Sequence, residues 1–392
     1  MLPINTGSRN RRCRIAIVST GRFHVLDLAR ELHLLGYRVA FYSVLPRRRA
    51  QRFGLPGCCH RSLFLYLLPL VAISRVAPRS LRGYVEHLLN WVVDIAAGIF
   101  LRECDVFIGM SGLCVRSAQA ARGKYGAKIF IERGSRHILS QKEILDLIPN
   151  SRRETVSNFS IKRELWAYEY ADVIVIPSHH TEESFAMRGI PQAKLFRNPY
   201  GVDLTMFPPT QRDTNRNTIL FVGTWSLRKG CEVLWAACEE NSSWHLLHVG
   251  PVGDAPQPNS PRFEHCEPVE QANLVEFYRR SHVFAHASRE EGLSLVQAQA
   301  LACGLPLVCT DRTGGADLQE LLNDPKYVTV VPPDDVAALS RGIEKALAIS
   351  ENQTGLRDIL GPAREKFSWS AYGRRYADEI ERCLKEKDDA LG

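Results

Sequence analysis

Short apolar runs alternate with amphipathic helical segments along most of this 392-residue chain, and this alternation limits the folds open to it. The apolar run 14–19 turns at Thr20-Gly21 and enters a periodic helix over 25–35, and a second strand follows at 38–44. Strand and helix in strict succession predict a parallel, doubly wound sheet with helices on both faces. We therefore expect an α/β protein.

The alternation stops at a turn-rich segment and then restarts, which indicates two domains. The break is Asn198-Pro199-Tyr200-Gly201, followed by a polar stretch over 208–217. The other segments with strand or helix patterning are strands at 105–109, 127–132, 172–176, 218–222, 244–249, 282–286, 306–309 and 327–331, and helices at 270–280, 295–303 and 370–387. We predict a first domain over 1–200 and a second over 201–369. Tandem α/β domains bind ligands in the cleft outside the carboxyl ends of their strands.

The charge is divided unevenly between these domains. Residues 1–200 carry 30 Lys and Arg against 15 Asp and Glu, a net +15, whereas residues 201–392 carry 20 against 28, a net −8. A basic half favours an anionic partner, such as a membrane surface, a phosphorylated substrate or nucleic acid. No helix-turn-helix, aromatic RNA-binding strand or zinc pattern is evident, so we do not expect nucleic acid.

The cysteines and apolar runs indicate the compartment. The 11 cysteines are scattered without a C-x-x-C pair, which is typical of reduced cytosolic thiols. The apolar runs 63–73 and 91–101 fall short of the roughly 20 residues of a membrane-spanning helix. They are either two buried helices or include one that lies on a membrane surface beside basic residues.

The segment 288–318 carries the most specific motif. Glu291-Gly292-Leu293-Ser294 joins a strand to a helix, and Gln299 lies two turns along that helix. Backbone N–H groups at such a helix start bind phosphate or sugar oxygens, and the carboxylate of Glu291 can accept hydrogen bonds from sugar hydroxyls. The alternative is a helix that only packs in the core.

A second motif follows the strand 218–222. Gly223 begins a turn, and Arg228-Lys229-Gly230 ends it before the next helix. Arg offers bidentate contact to a phosphate and Lys a compact positive charge, so this pair suits a diphosphate. Surface charges at the end of a turn are the alternative.

These motifs together resemble the retaining glycosyltransferases of family four, which have the GT-B fold. The family signature is Glu-Gly-Phe-Gly, a second Glu after seven intervening residues, and Ala-Met-Ala-x-Gly-x-Pro. This chain has Leu293-Ser294 in the first element, Gln299 in place of the second Glu, and Thr313-Gly314-Gly315 resembling the family's Gly-Gly loop. The resemblance implies two Rossmann-like domains that face across a cleft. It also implies that the final helix, about 370–392, packs back on the first domain.

The resemblance assigns roles to individual residues. It implies that Glu291, Lys229 and Arg228 act on the donor, with the ribose role of the second Glu carried onto Gln299. The donor-binding residues that it implies are Gly21, Gly223, Gly292, Leu293, Ser294, Leu295, Gln299, Gly314 and Gly315.

The first domain offers less specific candidates. The loop Gly21-Arg22-Phe23-His24 follows the first strand, and His24 either faces the cleft or caps a helix. Many family members place a His against the donor sugar near the strand end 127–132, so His137 is a catalytic candidate there. Glu132 and Arg133, with His24, are the acceptor-side candidates. The start of a helix is the alternative interpretation of 131–137.

The resemblance therefore predicts an enzyme, a retaining hexosyltransferase that uses a UDP- or GDP-linked sugar. We expect no cofactor and no metal, because Arg228 and Lys229 supply positive charge and no Asp-x-Asp motif is evident. The expected partners are the nucleotide sugar, a lipid-linked or polysaccharide acceptor of the cell envelope, and an anionic membrane surface. The expected location is cytoplasmic, either free or peripheral on the inner face of the plasma membrane. A catalytically silent nucleotide-sugar binding protein and a GT-B epimerase remain as alternatives.

Overall fold

The computed structural model describes residues 13–78, 81–149, 156–211 and 217–389, and the first part of the chain forms a seven-stranded parallel sheet. Its strands are β1 Arg14–Val18, β2 Arg38–Ser43, β3 His60–Ser62, β4 Val106–Met110, β5 Lys128–Glu132, β6 Val173–Ile176 and β7 Leu195–Arg197. The helices between them are α1 His24–Leu34, α2 Arg47–Arg52, α3 Leu68–Val76, α4 Arg82–Ile99, α5 Arg116–Tyr125, α6 Ile138–Asp146, α7 Asn158–Tyr170 and α8 His179–Ala186. The strand order is β3-β2-β1-β4-β5-β6-β7.

The second part repeats this organisation with six parallel strands. Its elements in chain order are β8 Thr210–Gln211, β9 Thr218–Val222, α9 Cys231–Glu239, β10 His245–Val249, β11 Phe263–Cys266, α10 Leu274–Arg279, β12 Val283–His286, α11 Leu295–Ala302, β13 Leu307–Thr310, α12 Gly315–Leu321, β14 Val328–Val331, α13 Val336–Glu351, β15 Leu356–Arg357 and α14 Trp369–Asp389. The sheet order is β11-β10-β9-β12-β13-β14, and β8 pairs with β15 in a small antiparallel ribbon. Both large sheets reverse direction beside their first strand, as doubly wound sheets do.

The predicted α/β class is confirmed, and the strands expected from the sequence lie within one or two residues of those observed. Sequence patterning missed the edge strands β3, β7 and β11. These strands are only half-buried, and β3 has the polar sequence His-Arg-Ser, so they lack the apolar run that marks an interior strand. The helix expected over 270–280 is shorter, because only α10 and a preceding 3₁₀ turn form there.

The final helix, α14, lies against the first sheet's side of the molecule. The Tyr37 hydroxyl donates to Glu381 Oε1 at 3.1 Å, and Lys387 Nζ donates to the carbonyl oxygen of Gly126 at 2.7 Å. The ring of Tyr376 packs 5.8 Å from that of Phe130 on β5. The domain division at residue 200 stays a proposal. Within the described residues, no helix combines the length and apolarity required to cross a bilayer.

Candidate functional site

Loops at the carboxyl ends of the two sheets meet in a cleft. The loop after β5 touches the loop between β12 and α11, where Gly134 and Gly292 approach so closely that a Cβ on Gly292 would overlap the carbonyl oxygen of Gly134. Only a residue without a side chain fits at position 292 in this arrangement. The candidate site is therefore built from both halves of the chain.

A charged cluster lies on the second half's side of this cleft. Lys229 Nζ forms a direct ion pair with Glu291 Oε2, and Arg228 Nη1 lies 3.7 Å from the same oxygen. Arg228 also donates to the carbonyl oxygen of Glu290 at 2.8 Å. The side chains are largely buried, Lys229 being 10% and Glu291 21% exposed. Partial removal from water strengthens these interactions and gives the site fixed positive charge beside a carboxylate.

Glu290 is a site residue that the sequence analysis did not select. Its carboxylate is 2% exposed and is contacted from the first half of the chain: Ser135 Oγ hydrogen-bonds to Oε1, and Gln141 Nε2 donates to Oε2 at 3.1 Å. Arg228 Nη1 lies 3.7 Å from Oε2. The Glu290-Glu291 doublet was visible in the sequence, but which carboxylate faces which domain depends on the packing of the two loops.

His180 and Ser178 fasten the Glu-Gly loop to the first half. His180 Nε2 donates to the carbonyl oxygen of Glu291 at 2.7 Å, and Ser178 Oγ donates to that of Gly292 at 2.8 Å. Burial, with a smaller contribution from Arg136, lowers the pKa of His180 to about 3, so its imidazole is neutral near pH 7. The sequence analysis did not select these two residues, because a Ser-His-His run at a helix start carries no specific signal.

The other glycine-loop residues lie around the N-termini of α11 and α12. Ser294 is the N-cap of α11, Leu295 begins it, and Leu293 is buried beneath the loop. Gly314, at φ +73°, packs against Leu293, and a Cβ there would lie 2.7 Å from its Cδ1. Gly315, the first residue of α12, lies against the Sγ of Cys309. Two helix N-termini are thus brought to one side of the cleft, where their partial positive charge favours an anion.

Gly223 and Gln299 occupy the edges of this region. Gly223 follows β9, and its carbonyl oxygen accepts a hydrogen bond from His248 Nε2 at 2.9 Å. Gln299 is 4% exposed on α11, and its Oε1 accepts from the Tyr278 hydroxyl at 3.1 Å. The amide oxygen therefore has a protein partner, and the ribose role of Gln299 stays a prediction.

The first half's candidates form a separate buried group. His24 Nε2 lies 2.9 Å from Glu132 Oε2, and the His24 ring packs 4.4 Å from that of Tyr200. Both members of the pair are buried, and Oε1 of Glu132 has no hydrogen-bond partner among the described residues. Gly21 lies in the preceding loop, with its N–H 3.4 Å from Ser19 Oγ.

Arg133 and His137 are turned into the first domain. Arg133 donates to Glu164 Oε1 at 2.8 Å and to Gln141 Oε1 at 2.7 Å. His137 is the N-cap of α6, accepts from the Leu139 N–H at 3.3 Å, and packs between Tyr168 and Phe185.

Burial and, secondarily, Arg188 lower the pKa of His137 to about 4. Among the described residues, neither Arg133 nor His137 contacts Lys229 or Glu291 with its side chain. The structure therefore brings together Arg228, Lys229 and Glu291, while the direct catalytic role of His137 stays a prediction.

Residues 216–348, which contain the charged cluster and both glycine loops, match the family of glycosyl transferases group 1. This segment is a glycosyl transferases group 1 domain. Two other predicted features are confirmed with it: the family resemblance, and the GT-B arrangement of two α/β sheets, which the structural relatives share.

Curated relatives of the group 1 domain act on inositol lipids, according to their names. The chain is 29% identical over 238 residues to a phosphatidylinositol N-acetylglucosaminyltransferase of Arabidopsis thaliana, covering 56% of this chain and 51% of that protein. It is 27% identical over 241 residues to a GDP-mannose-dependent phosphatidylinositol monomannoside mannosyltransferase of Mycolicibacterium smegmatis, covering 53% and 62%. The matches thus span about half the length of these relatives.

Solved structures share the fold of the whole chain around the group 1 domain. Sucrose-phosphate synthase of Thermosynechococcus elongatus superposes with a TM-score of 0.67 at 19% identity, covering 96% of this chain and all of that one. An Anabaena protein solved with UDP and glucose gives a TM-score of 0.64 at 13% identity, covering 95% and 100%. At these identities the likeness establishes the fold.

Proposed function

We propose that this protein transfers a sugar from a UDP- or GDP-linked donor to a hydroxyl of a lipid-linked or polysaccharide acceptor, with retention of anomeric configuration. The observation that carries the proposal is the Lys229–Glu291 pair with Arg228 beside it, at the facing carboxyl edges of two doubly wound sheets. This arrangement offers positive charge to a diphosphate and a carboxylate to sugar hydroxyls within one cleft.

Departure of the nucleotide diphosphate is the step that this site would stabilise. As the glycosidic C–O bond breaks, negative charge grows on the departing phosphate oxygen, and Arg228 and Lys229 offset it in a poorly hydrated site. Backbone N–H groups near Gly292 and Gly315 add further donors. In the cleft Lys229 binds Glu291, so donor binding would exchange part of that ion pair for phosphate contact.

Glu291 then orients the sugar, and the acceptor hydroxyl attacks the anomeric carbon from the face that the diphosphate leaves. The hydroxyl proton passes to the leaving phosphate, so a protein nucleophile is not required. The close contact between the loops of Gly134 and Gly292 supports this step, because it excludes water that would otherwise compete as an acceptor.

The first half provides a surface suited to an acceptor at a membrane. Residues 32–85 contain nine arginines and no Asp or Glu. Large apolar side chains are exposed on and around α3 and α4, among them Leu65, Tyr66, Val76, Tyr84 and Trp91. The segments after β2 and β3, where this surface begins, leave the same sheet edge as the Gly21 loop. We assign this surface to an anionic bilayer, because exposed apolar groups beside unbalanced arginines match its two components.

The function is tested with a panel of UDP- and GDP-sugars. We expect one donor to raise the melting temperature, and the same donor to be consumed when a polyprenyl or inositol lipid is supplied, giving a product with the donor's anomeric configuration by NMR. Stabilisation without hydrolysis or transfer across the acceptor panel would favour the silent binding protein. Interconversion of the donor's sugar stereochemistry would favour the epimerase.

The membrane assignment is tested separately by vesicle sedimentation at low salt. We expect binding to phosphatidylglycerol vesicles and much weaker binding to phosphatidylcholine vesicles. Replacing Arg47, Arg48 and Arg49 by Glu should abolish sedimentation, whereas replacing Arg382 and Lys385 on α14 should leave it unchanged. Equal recovery with both lipids, or none with either, contradicts an anionic bilayer as the occupant.

A further inference from the structure

A cluster of potential metal ligands lies away from the cleft. His33, Cys58 and Cys59 each offer one ligand atom, and these atoms all lie within 4.8 Å of one another. Among the described residues, no other group of three His, Cys, Asp or Glu side chains converges in this way. His33 is in the last turn of α1 and Cys59 immediately precedes β3, so the cluster is at the sheet edge opposite the cleft.

The backbone holds the two cysteines in a fixed turn. The N–H of Cys59 donates to the carbonyl oxygen of Pro56 at 3.0 Å, and the carbonyl oxygen of Cys59 accepts from Phe41 on β2 at 2.8 Å. Cys59 is buried, Cys58 is exposed, and His33 is half-buried between them and solvent. One thiol is thus anchored in the core, while the other two ligands border water.

The sulfur separation fits one coordination geometry. The two Sγ atoms lie 3.8 Å apart. Two thiolates bound at about 2.3 Å to a tetrahedral zinc ion are separated by about 3.8 Å, whereas a disulfide requires about 2.05 Å. An imidazole nitrogen completes a Cys₂His set, and the exposed side leaves a fourth position for water. Sulfur and imidazole ligands select zinc over magnesium or calcium, which require oxygen.

We propose that His33, Cys58 and Cys59 form a zinc site with an open fourth position. The ion ties the C-terminal end of α1 to the segment before β3. Binding releases the two thiol protons and stabilises the folded chain, because the three ligands are not assembled in the unfolded chain. This site is independent of the transferase proposal, since its ligands take no part in the cleft.

The test is a titration of the reduced, EDTA-treated full chain with Cd²⁺, followed by displacement with Zn²⁺. We expect a thiolate-to-metal absorption band that saturates at one equivalent, release of two protons per ion, and a higher melting temperature with Zn²⁺. Cys58→Ser and His33→Gln should each weaken binding at least tenfold. Cys266→Ser, at a half-buried cysteine on β11, is the matched control and should bind as the unmodified chain does.

Three results would overturn the proposal. The first is the absence of a saturable band. The second is equal binding by the Cys58→Ser, His33→Gln and Cys266→Ser chains, which would identify an adventitious metal. The third is a chain that loses two mass units in air through a Cys58–Cys59 disulfide and that Zn²⁺ does not protect. Circular dichroism of each variant separates loss of ligand from loss of fold.

Discussion

Gly292 and Gly134 touch across the cleft with no room for a side chain between them, so that a single methyl group on Gly292 would occupy the position of Gly134's carbonyl oxygen. These two residues belong to different sheets and are separated by more than 150 positions in the sequence. Their contact sets the distance between the charged cluster of the second half and the loops of the first. Activity should therefore be sensitive to any change in that distance.

Gly292→Ala should impair the enzyme without unfolding it. The added methyl group forces the two loops apart, and a displacement of about 1 Å in an active site can cost about 100-fold in rate. We expect a loss of that order in kcat/KM, measured with the donor found in the nucleotide-sugar panel. Gly123→Ala is the matched control, because Gly123 is exposed on α5 and a methyl group added there would have no neighbour within 4 Å. Wild-type kinetics for Gly292→Ala would show that the cleft closes in another way.

Lys229→Ala should reduce turnover by about two to three orders of magnitude, the range found when one charge-stabilising donor is removed from an active site. Lys229 pairs with Glu291, so Glu291→Gln and the double variant complete a cycle. We expect the double variant to lose less than the sum of the single losses, because the two groups act together. Lys326→Ala, at an exposed lysine paired with Asp324, should have no effect. Unchanged kinetics in Lys229→Ala would remove this residue from the mechanism.

Transfer activity should survive EDTA. Arg228 and Lys229 supply fixed positive charge where the diphosphate is proposed to bind, so a divalent cation is not needed for that task. The measurement is the initial rate after chelation and desalting, compared in the unmodified chain and in Cys58→Ser. Equal retention in both separates catalysis from the proposed zinc site. Complete loss that Mg²⁺ or Mn²⁺ restores would be incompatible with metal-free transfer.

The free energy of unfolding should fall as the pH is lowered from 7 to 5. Burial, the largest cause, lowers the pKa of His60, His137 and His248 to about 4 and that of His180 to about 3. In the unfolded chain a histidine titrates near pH 6.5, so below that pH the unfolded state binds protons that the folded state does not.

Stability is therefore fully present above pH 6.5 and is lost toward pH 4. One such histidine contributes about 2 kcal/mol between pH 7 and 5. Urea unfolding at several pH values measures this loss. His180→Gln should flatten the pH dependence, while His179→Gln, at the exposed neighbouring position, should not. A stability that is constant or rises toward pH 5 would show that these histidines are protonated in the folded chain.

The sequence predicted the fold class and the interior strands because each buried parallel strand is a continuous apolar run bounded by turns. It did not predict β3, β7 or β11, since a short strand at a sheet edge is stabilised by pairing with its neighbour more than by its own composition. Similarly, the resemblance selected Glu291 and Lys229 separately, each from the motif around it.

The sequence by itself determined which loops carry charge and glycine, because these properties are local and follow from residue type and spacing. Only the tertiary structure decided which loops meet. Lys229 and Glu291 are 62 positions apart and become an ion pair through the order β9-β12 in the second sheet. Glu290 meets Ser135 and Gln141, and His33 meets Cys58, for the same reason. Contacts between distant segments depend on how sheets and helices pack, and no local pattern in the chain encodes that geometry.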